Sequence, residues 1–183
     1  MRSKNQIRDA ILVVDLEATC WRGNPPTGMC SEIIEFGIAV VDFRTKELLE
    51  SESLIVKPTH SEISEFCTEL TTITQEYINI HGIEFEEACD ILRSKYKSER
   101  RLWTSWGKYD FTQIEKDCKL KNVKFPMGRD HYNLKPLFSF KNNLNVDLGV
   151  DTALQHLGLS FEGTHHRGVD DAINISRILK TMF

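Results

Sequence analysis

Long apolar runs are missing from this chain. The most continuous one, Ala10 to Val14, falls far short of the roughly 20 residues that cross a bilayer, and the N-terminal MRSKNQIRDA lacks the apolar stretch of a secretory leader. Cysteine is sparse and irregular: Cys20, Cys30, Cys67, Cys89 and Cys118 make an odd number, with no CxxC spacing among them. That argues against a disulfide framework or a zinc knuckle and for a reducing compartment, so the protein is expected to be soluble, cytoplasmic and without a membrane partner. No Walker-type or GxGxxG loop is present to cradle phosphate, and there is no internal repeat or low-complexity tract. Positive charge is also in short supply: 23 Lys and Arg against 27 Asp and Glu leave a net charge of -4. That balance counts against a broad basic surface laid along a duplex, but not against a site whose acidic residues are offset by bound cations.

Carboxylates carry the information. Asp15 and Glu17 stand two apart at the end of the apolar run in ILVVDLEAT, so on a strand both side chains project from one face. Asp110 opens a helical stretch in SWGKYDFTQI, and His166 and Asp171, five apart in HHRGVDDA, lie at the start of another, where one turn brings them to roughly the same side. Four acidic residues and a histidine from three distant segments are the set a two-metal phosphodiesterase needs. Hard divalent ions prefer oxygen ligands, and two of them about 4 Å apart can clamp the attacking and leaving oxygens of an in-line displacement. His166, titrating near neutral pH, can accept the proton of the attacking water.

The hydropathy pattern predicts strands at 11–16, Ile33 to Val41 and Leu48 to Val56, a three-stranded meander. Short helical pieces are expected at Ser61 to Phe66 and Thr74 to Asn79, and an amphipathic helix at Phe85 to Lys97. A fourth strand covers Leu102 to Thr104, a helix runs from Asp110 to about Lys121, a fifth strand is placed within His131 to Phe138, and helices follow at Val150 to Leu157 and Val169 to Met182. Nothing remains for a second domain, so residues 1–183 are read as one. Glu35, flanked by Ile33, Ile34 and Phe36, is expected to face inward near the site, where a buried carboxylate needs a partner. Asp170 is read as a helix N-terminal acid. His165 and His131 are read as bystanders, and Trp103 and Trp106 as packing residues. Trp21 borders the substrate groove on the loop after DLEAT. The basic stretches Arg93 to Arg101 and Lys116 to Lys124 are read mainly as solvated faces.

The segments DLEAT, WGKYD and HRGVDDA resemble the three motifs of the DEDDh 3′-to-5′ exonucleases. Further strings, DLEATCW, EIIEFGIAVVD and KPTHSEISEFCTELTTITQE, resemble the subgroup that trims histone mRNA, ribosomal RNA ends and small interfering RNA. The resemblance implies an α/β fold, ribonuclease H-like, with a mixed five-stranded sheet and helices on both faces. It implies two magnesium ions, replaceable by manganese, held by Asp15, Glu17, Asp110 and Asp171, with His166 as general base; the His-x-x-x-x-Asp spacing selects His166 with Asp171 over His165 with Asp170. It implies substrate contacts at Leu16, Ala18, Trp21, Phe66, Tyr109 and His166, with Glu17 near the terminal sugar, Phe66 stacking on a terminal base, and Tyr109 standing where some members carry tryptophan. The partner implied is the 3′ end of single-stranded nucleic acid, RNA preferred over DNA. A DNA exonuclease, a binding module on an inactive nuclease fold and a subunit of a larger complex stay open, as does the oligomeric state.

Overall fold

The computed structural model describes residues 6–183. Residues 1–5, where the N-terminal stretch considered for a leader begins, lie outside the described residues. Five strands form one sheet in the order β3-β2-β1-β4-β5, with β1 at Ile7–Ala18, β2 at Ile33–Asp42, β3 at Leu48–Ile55, β4 at Arg101–Ser105 and β5 at His131–Asn133. β1, β2 and β3 are antiparallel neighbours, whereas β4 and β5 run parallel to β1, so the sheet is mixed as expected. β1 is central and nearly all buried, since it is covered on both faces.

Helices flank the sheet: α1 at Glu65–Thr71, α2 at Gln75–His81, α3 at Phe85–Ser94, α4 at Tyr109–Lys121, α5 at Leu134–Lys141, α6 at Val150–His156 and α7 at Gly168–Met182. Alternation along β1 divides the core. Leu12, Val14 and Leu16 pack with Leu92 of α3 and Ile114 of α4 on one face, while Ile11 and Val13 pack with Phe138, Leu154, Ile175 and Ile178 of α5, α6 and α7 on the other. Among the described residues no helix is long and apolar enough to cross a membrane.

The expected fifth strand is cut short. Only His131–Asn133 pairs with β4, and Leu134–Lys141 is helix, capped by the Asn133 side chain, which accepts from Lys135 N at 3.1 Å. Pro136 lies in the first turn, where a missing N–H costs no intrahelical bond, so it starts this helix instead of excluding it. The helical piece expected at Ser61 to Phe66 is displaced toward the C-terminus: Ser64 is the N-cap of α1, accepting from Cys67 N at 3.0 Å.

α7 sits unusually close to the sheet. Gly168 opens the helix against Gly37 of β2, and a Cβ on Gly37 would lie 1.8 Å from the Gly168 carbonyl carbon. Only a glycine pair lets the helix that carries Asp171 approach the strand beside Asp15.

Candidate metal centre

Asp15 and Glu17 project from the same face of β1, and the first turn of α7 brings Asp171 over that face. Ligand oxygens of these three carboxylates all lie within 4.8 Å of one another. Asp110, in the first turn of α4, falls outside that group of three, with Oδ1 accepting from Leu16 N at 3.1 Å. The second-motif aspartate is thereby tied to the residue between Asp15 and Glu17.

These groups are crowded and short of donors. Burial, followed by the charges of Asp110, Asp171, Glu17 and Glu35, raises Asp15 well above the usual carboxylate range. Burial and the charges of Asp171, Glu35 and Asp110 push Glu17 up to about 9, against a smaller pull from Arg167. Burial raises Asp110 to about 6 despite the hydrogen bond from Leu16 N. It also raises Asp171 to about 6. Asp171 Oδ2 is buried without a hydrogen-bond partner, a costly state for a carboxylate oxygen unless a cation satisfies it. An all-oxygen donor set with an orphaned inward oxygen fits a hard divalent ion.

His166 precedes α7 instead of lying on it. Its backbone is left-handed, φ 59°, and the residue is exposed. Burial, then the charge of His165, lowers its imidazole pKa. His165 is occupied elsewhere, stacked on Phe161 with ring centroids 3.8 Å apart. Asp170 accepts from Thr164 N at 2.8 Å and shapes the loop before the helix.

The remaining expected contacts are scattered around the rim. Phe66 on α1 is half-buried, with the Arg22 guanidinium 5.3 Å from its ring centroid. Trp21 is half-buried on the loop after β1, and Tyr109 is 53% exposed beside Asp110. Leu16 and Ala18 are both buried; the Leu16 N–H is taken by Asp110, and the Ala18 carbonyl accepts from Cys67 Sγ at 3.7 Å. Trp103 is fully buried and donates to Gly128 O at 2.8 Å, while Trp106 donates to Leu148 O at 2.9 Å, both as packing residues.

Glu35 faces inward as expected, directly across from Glu17 in the β1–β2 register. It accepts from Ser53 Oγ at 2.6 Å, Arg167 Nε at 3.2 Å, Gly168 N at 3.0 Å and Val169 N at 3.4 Å, so it caps α7. Arg167 and Ser53 escaped the sequence reading. Arg167 stands beside a legible motif, and the Glu17–Glu35 pairing that reveals its partner follows from strand register. The two basic stretches are largely ion-paired, as with Lys95 to Glu50, Arg101 to Asp9, Lys121 to Glu32 and Lys124 to Glu99.

A family description reading "Exonuclease" matches residues 12–179. Human 3′-5′ exoribonuclease 1 is 30% identical over 95% of this chain and 52% of its own length, so the chain spans about half of that relative. Among solved structures, the nuclease domain of 3′hExo, a DEDDh family member bound to rAMP, superposes with a TM-score of 0.85 at 27% identity, over 97% of this chain and 93% of that one. A 3′-exonuclease described as recognising the 3′ end of a histone mRNA stem-loop superposes with a TM-score of 0.82 at 26% identity, over 99% of this chain and 66% of that one.

Proposed function

Because the chain belongs to the exonuclease family, we propose that it is a divalent-metal-dependent 3′-to-5′ exonuclease acting on single-stranded RNA ends and releasing nucleoside 5′-monophosphates. The observation that carries this is the Asp15, Glu17 and Asp171 cluster with the unpaired Asp171 Oδ2. Asp15, Glu17, Asp110 and Asp171 would hold two magnesium ions, for which manganese can substitute. Such ions, when bound, supply charge relief at the phosphoryl oxygens and activation of water.

The protein's own residues do the rest. His166, exposed just before α7, accepts a proton from the attacking water; its lowered pKa keeps the imidazole neutral and able to do so near pH 7. Phe66, Trp21 and Tyr109 offer aromatic faces around the opening, and stacking of that kind tolerates any base. The Glu17 carboxylate, flanked in sequence by Leu16 and Ala18, reads the hydroxyls of the terminal sugar, where a 2′-OH separates RNA from DNA. The two structural relatives, one bound to rAMP and one recognising the 3′ end of a histone mRNA stem-loop, support the RNA reading. Five free thiols suit the reducing cytoplasm, where we place the protein.

The test is digestion of matched 5′-labelled single-stranded RNA and DNA oligonucleotides with magnesium, manganese or EDTA. A metal-dependent ladder shortening from the 3′ end, faster on RNA, is expected. A faster ladder on DNA would overturn the substrate, and binding without cleavage would overturn the enzyme.

A further inference from the structure

We infer that Arg22 is a substrate-binding residue: when a strand arrives, its guanidinium leaves Glu69 for a backbone phosphate on the 5′ side of the terminal nucleotide. This rests on the exonuclease reading of the carboxylate cluster.

Arg22 follows Glu17 by five residues, on the loop that carries the chain out of β1. Two contacts fix the start of that loop against α1: Ser64 Oγ, the N-cap hydroxyl, donates to Cys20 O at 2.6 Å, and Cys67 Sγ donates to Ala18 O at 3.7 Å. Phe66 stands between those two α1 residues in sequence, so its ring is carried to the end of the strand that bears Asp15 and Glu17. The Arg22 guanidinium lies 5.3 Å from the Phe66 ring centroid, and its Nη2 is 2.5 Å from Oε2 of Glu69, three residues further along α1. Aromatic face and cation thus form one ledge beside the end of β1.

The ion pair on that ledge is open to exchange. The Arg22 and Glu69 side chains are 73% and 52% exposed, and a pair so accessible to water contributes little to stability. Other cations around these strand ends are committed: Arg167 to buried Glu35, Lys121 to buried Glu32, and Lys116 Nζ to Ser31 O at 2.8 Å. A phosphate presents two oxygens to the guanidinium fork, and neutralising it releases a counterion condensed on the strand, a gain that Glu69 does not offer. Glu17 is only 9% exposed. The bond to be cut must come down to the buried carboxylates, so a cation on the exposed ledge meets the strand outside that bond, toward the 5′ end. With a net charge of -4 and no broad basic surface, the protein depends on such single contacts.

The test follows digestion of a 5′-labelled single-stranded RNA by wild type, Arg22→Ala, Arg22→Lys, Glu69→Gln and Lys119→Ala, at potassium chloride from about 50 to 200 mM. Lys119 is the matched control: its side chain is also 73% exposed, and it pairs with Glu115 at 3.4 Å on α4. Arg22→Ala is expected to raise KM about 5-fold with kcat unmoved, and to flatten the slope of log KM against log salt by roughly 0.7, the equivalent of one phosphate on a single strand. Inhibition by a nucleoside 5′-monophosphate, which has no upstream phosphate, should stay as in wild type. Arg22→Lys should keep the salt slope, Lys119→Ala should leave KM and slope alone, and Glu69→Gln, which frees the guanidinium, should not raise KM. An Arg22→Ala protein with wild-type KM and slope would overturn the assignment, as would an equal shift in Lys119→Ala. A Glu69→Gln protein that loses as much as Arg22→Ala would overturn it too, by making the pair a structural tie. Wild-type protein that degrades no RNA would overturn the exonuclease reading itself; active wild type beside an indifferent Arg22→Ala removes only the role of Arg22.

Discussion

Two sets of buried carboxylates share the β1–β2 sheet and differ in what surrounds them. Glu32, the residue before β2, is fully buried, yet it pairs with Lys121 and accepts from Thr59 N at 2.8 Å and His60 N at 2.7 Å. Burial pulls its pKa up, but Lys121 and the two backbone N–H groups outweigh that and hold it below the usual range. Asp15 and Glu17 on β1 and Asp171 on α7 have no such supply and are all raised. A buried carboxylate matched by donors is a structural tie; a group of them left unmatched is a place prepared for a cation. Glu35 belongs to the first kind by its partners and to the second by its position, since it faces Glu17 and caps the helix that carries Asp171.

Opposite outcomes at the two sets would sharpen the contrast. Asp15→Asn should lower turnover on the order of 10³-fold or more, the scale on which a preorganised charge-stabilising group acts, while thermal unfolding without metal stays unchanged or rises as a like charge is lost. His166→Ala should follow with roughly a 100-fold loss of rate at neutral pH, while Mn²⁺ affinity, measured by titration, is largely kept. Glu32→Gln should do the reverse of Asp15→Asn: it strands Lys121 and costs about 3 kcal/mol of stability in denaturant unfolding, with activity per folded molecule retained. Glu35→Gln should affect both, with a rate loss of about 10-fold and a modest fall in unfolding midpoint; unchanged activity would make Glu35 a packing residue only.

The smallest effect is one of pH on the metal-free protein. Glu17 is raised from 4.5 to about 9 in the folded state, so the folded protein holds its proton more tightly than the unfolded chain does. The stability this confers is full below about pH 4.5 and is lost as pH climbs toward 9. Without metal, wild-type protein should therefore lose melting temperature relative to Glu17→Gln across that window, and added magnesium should erase the difference. Glu32, held below its usual range, has the opposite sign: its contribution is present at neutral pH and lost on acidification. Parallel pH profiles for Glu17→Gln and Glu32→Gln, each relative to wild type, would break the comparison.

What could be read from the sequence was local. The two-residue spacing of Asp15 and Glu17 fixes their shared face once a strand is granted, and the Gly107 turn before α4 and the apolar period of α7 set Asp110 and Asp171 in first turns. The Leu16 bond to Asp110, the Arg167 clamp on Glu35 and the Arg22 cover over Phe66 were not legible, because each depends on strand register or loop path between distant segments. Helix α5 was hidden by Pro136, whose tolerance depends on standing in the first turn after the Asn133 cap. The left-handed backbone of His166, which precedes α7, breaks the helical count to Asp171, so the two do not share a helical turn.

The most direct measurement is proton release when magnesium binds the nucleic acid-free protein, obtained by calorimetry at pH 7.5 in buffers of different ionisation enthalpy. Carboxylates that hold protons must give them up to ligate a metal, so binding should expel about one proton from wild type and markedly less from Glu17→Gln. Binding without proton release, or release unchanged in Glu17→Gln, would contradict the assignment of this cluster as the metal centre.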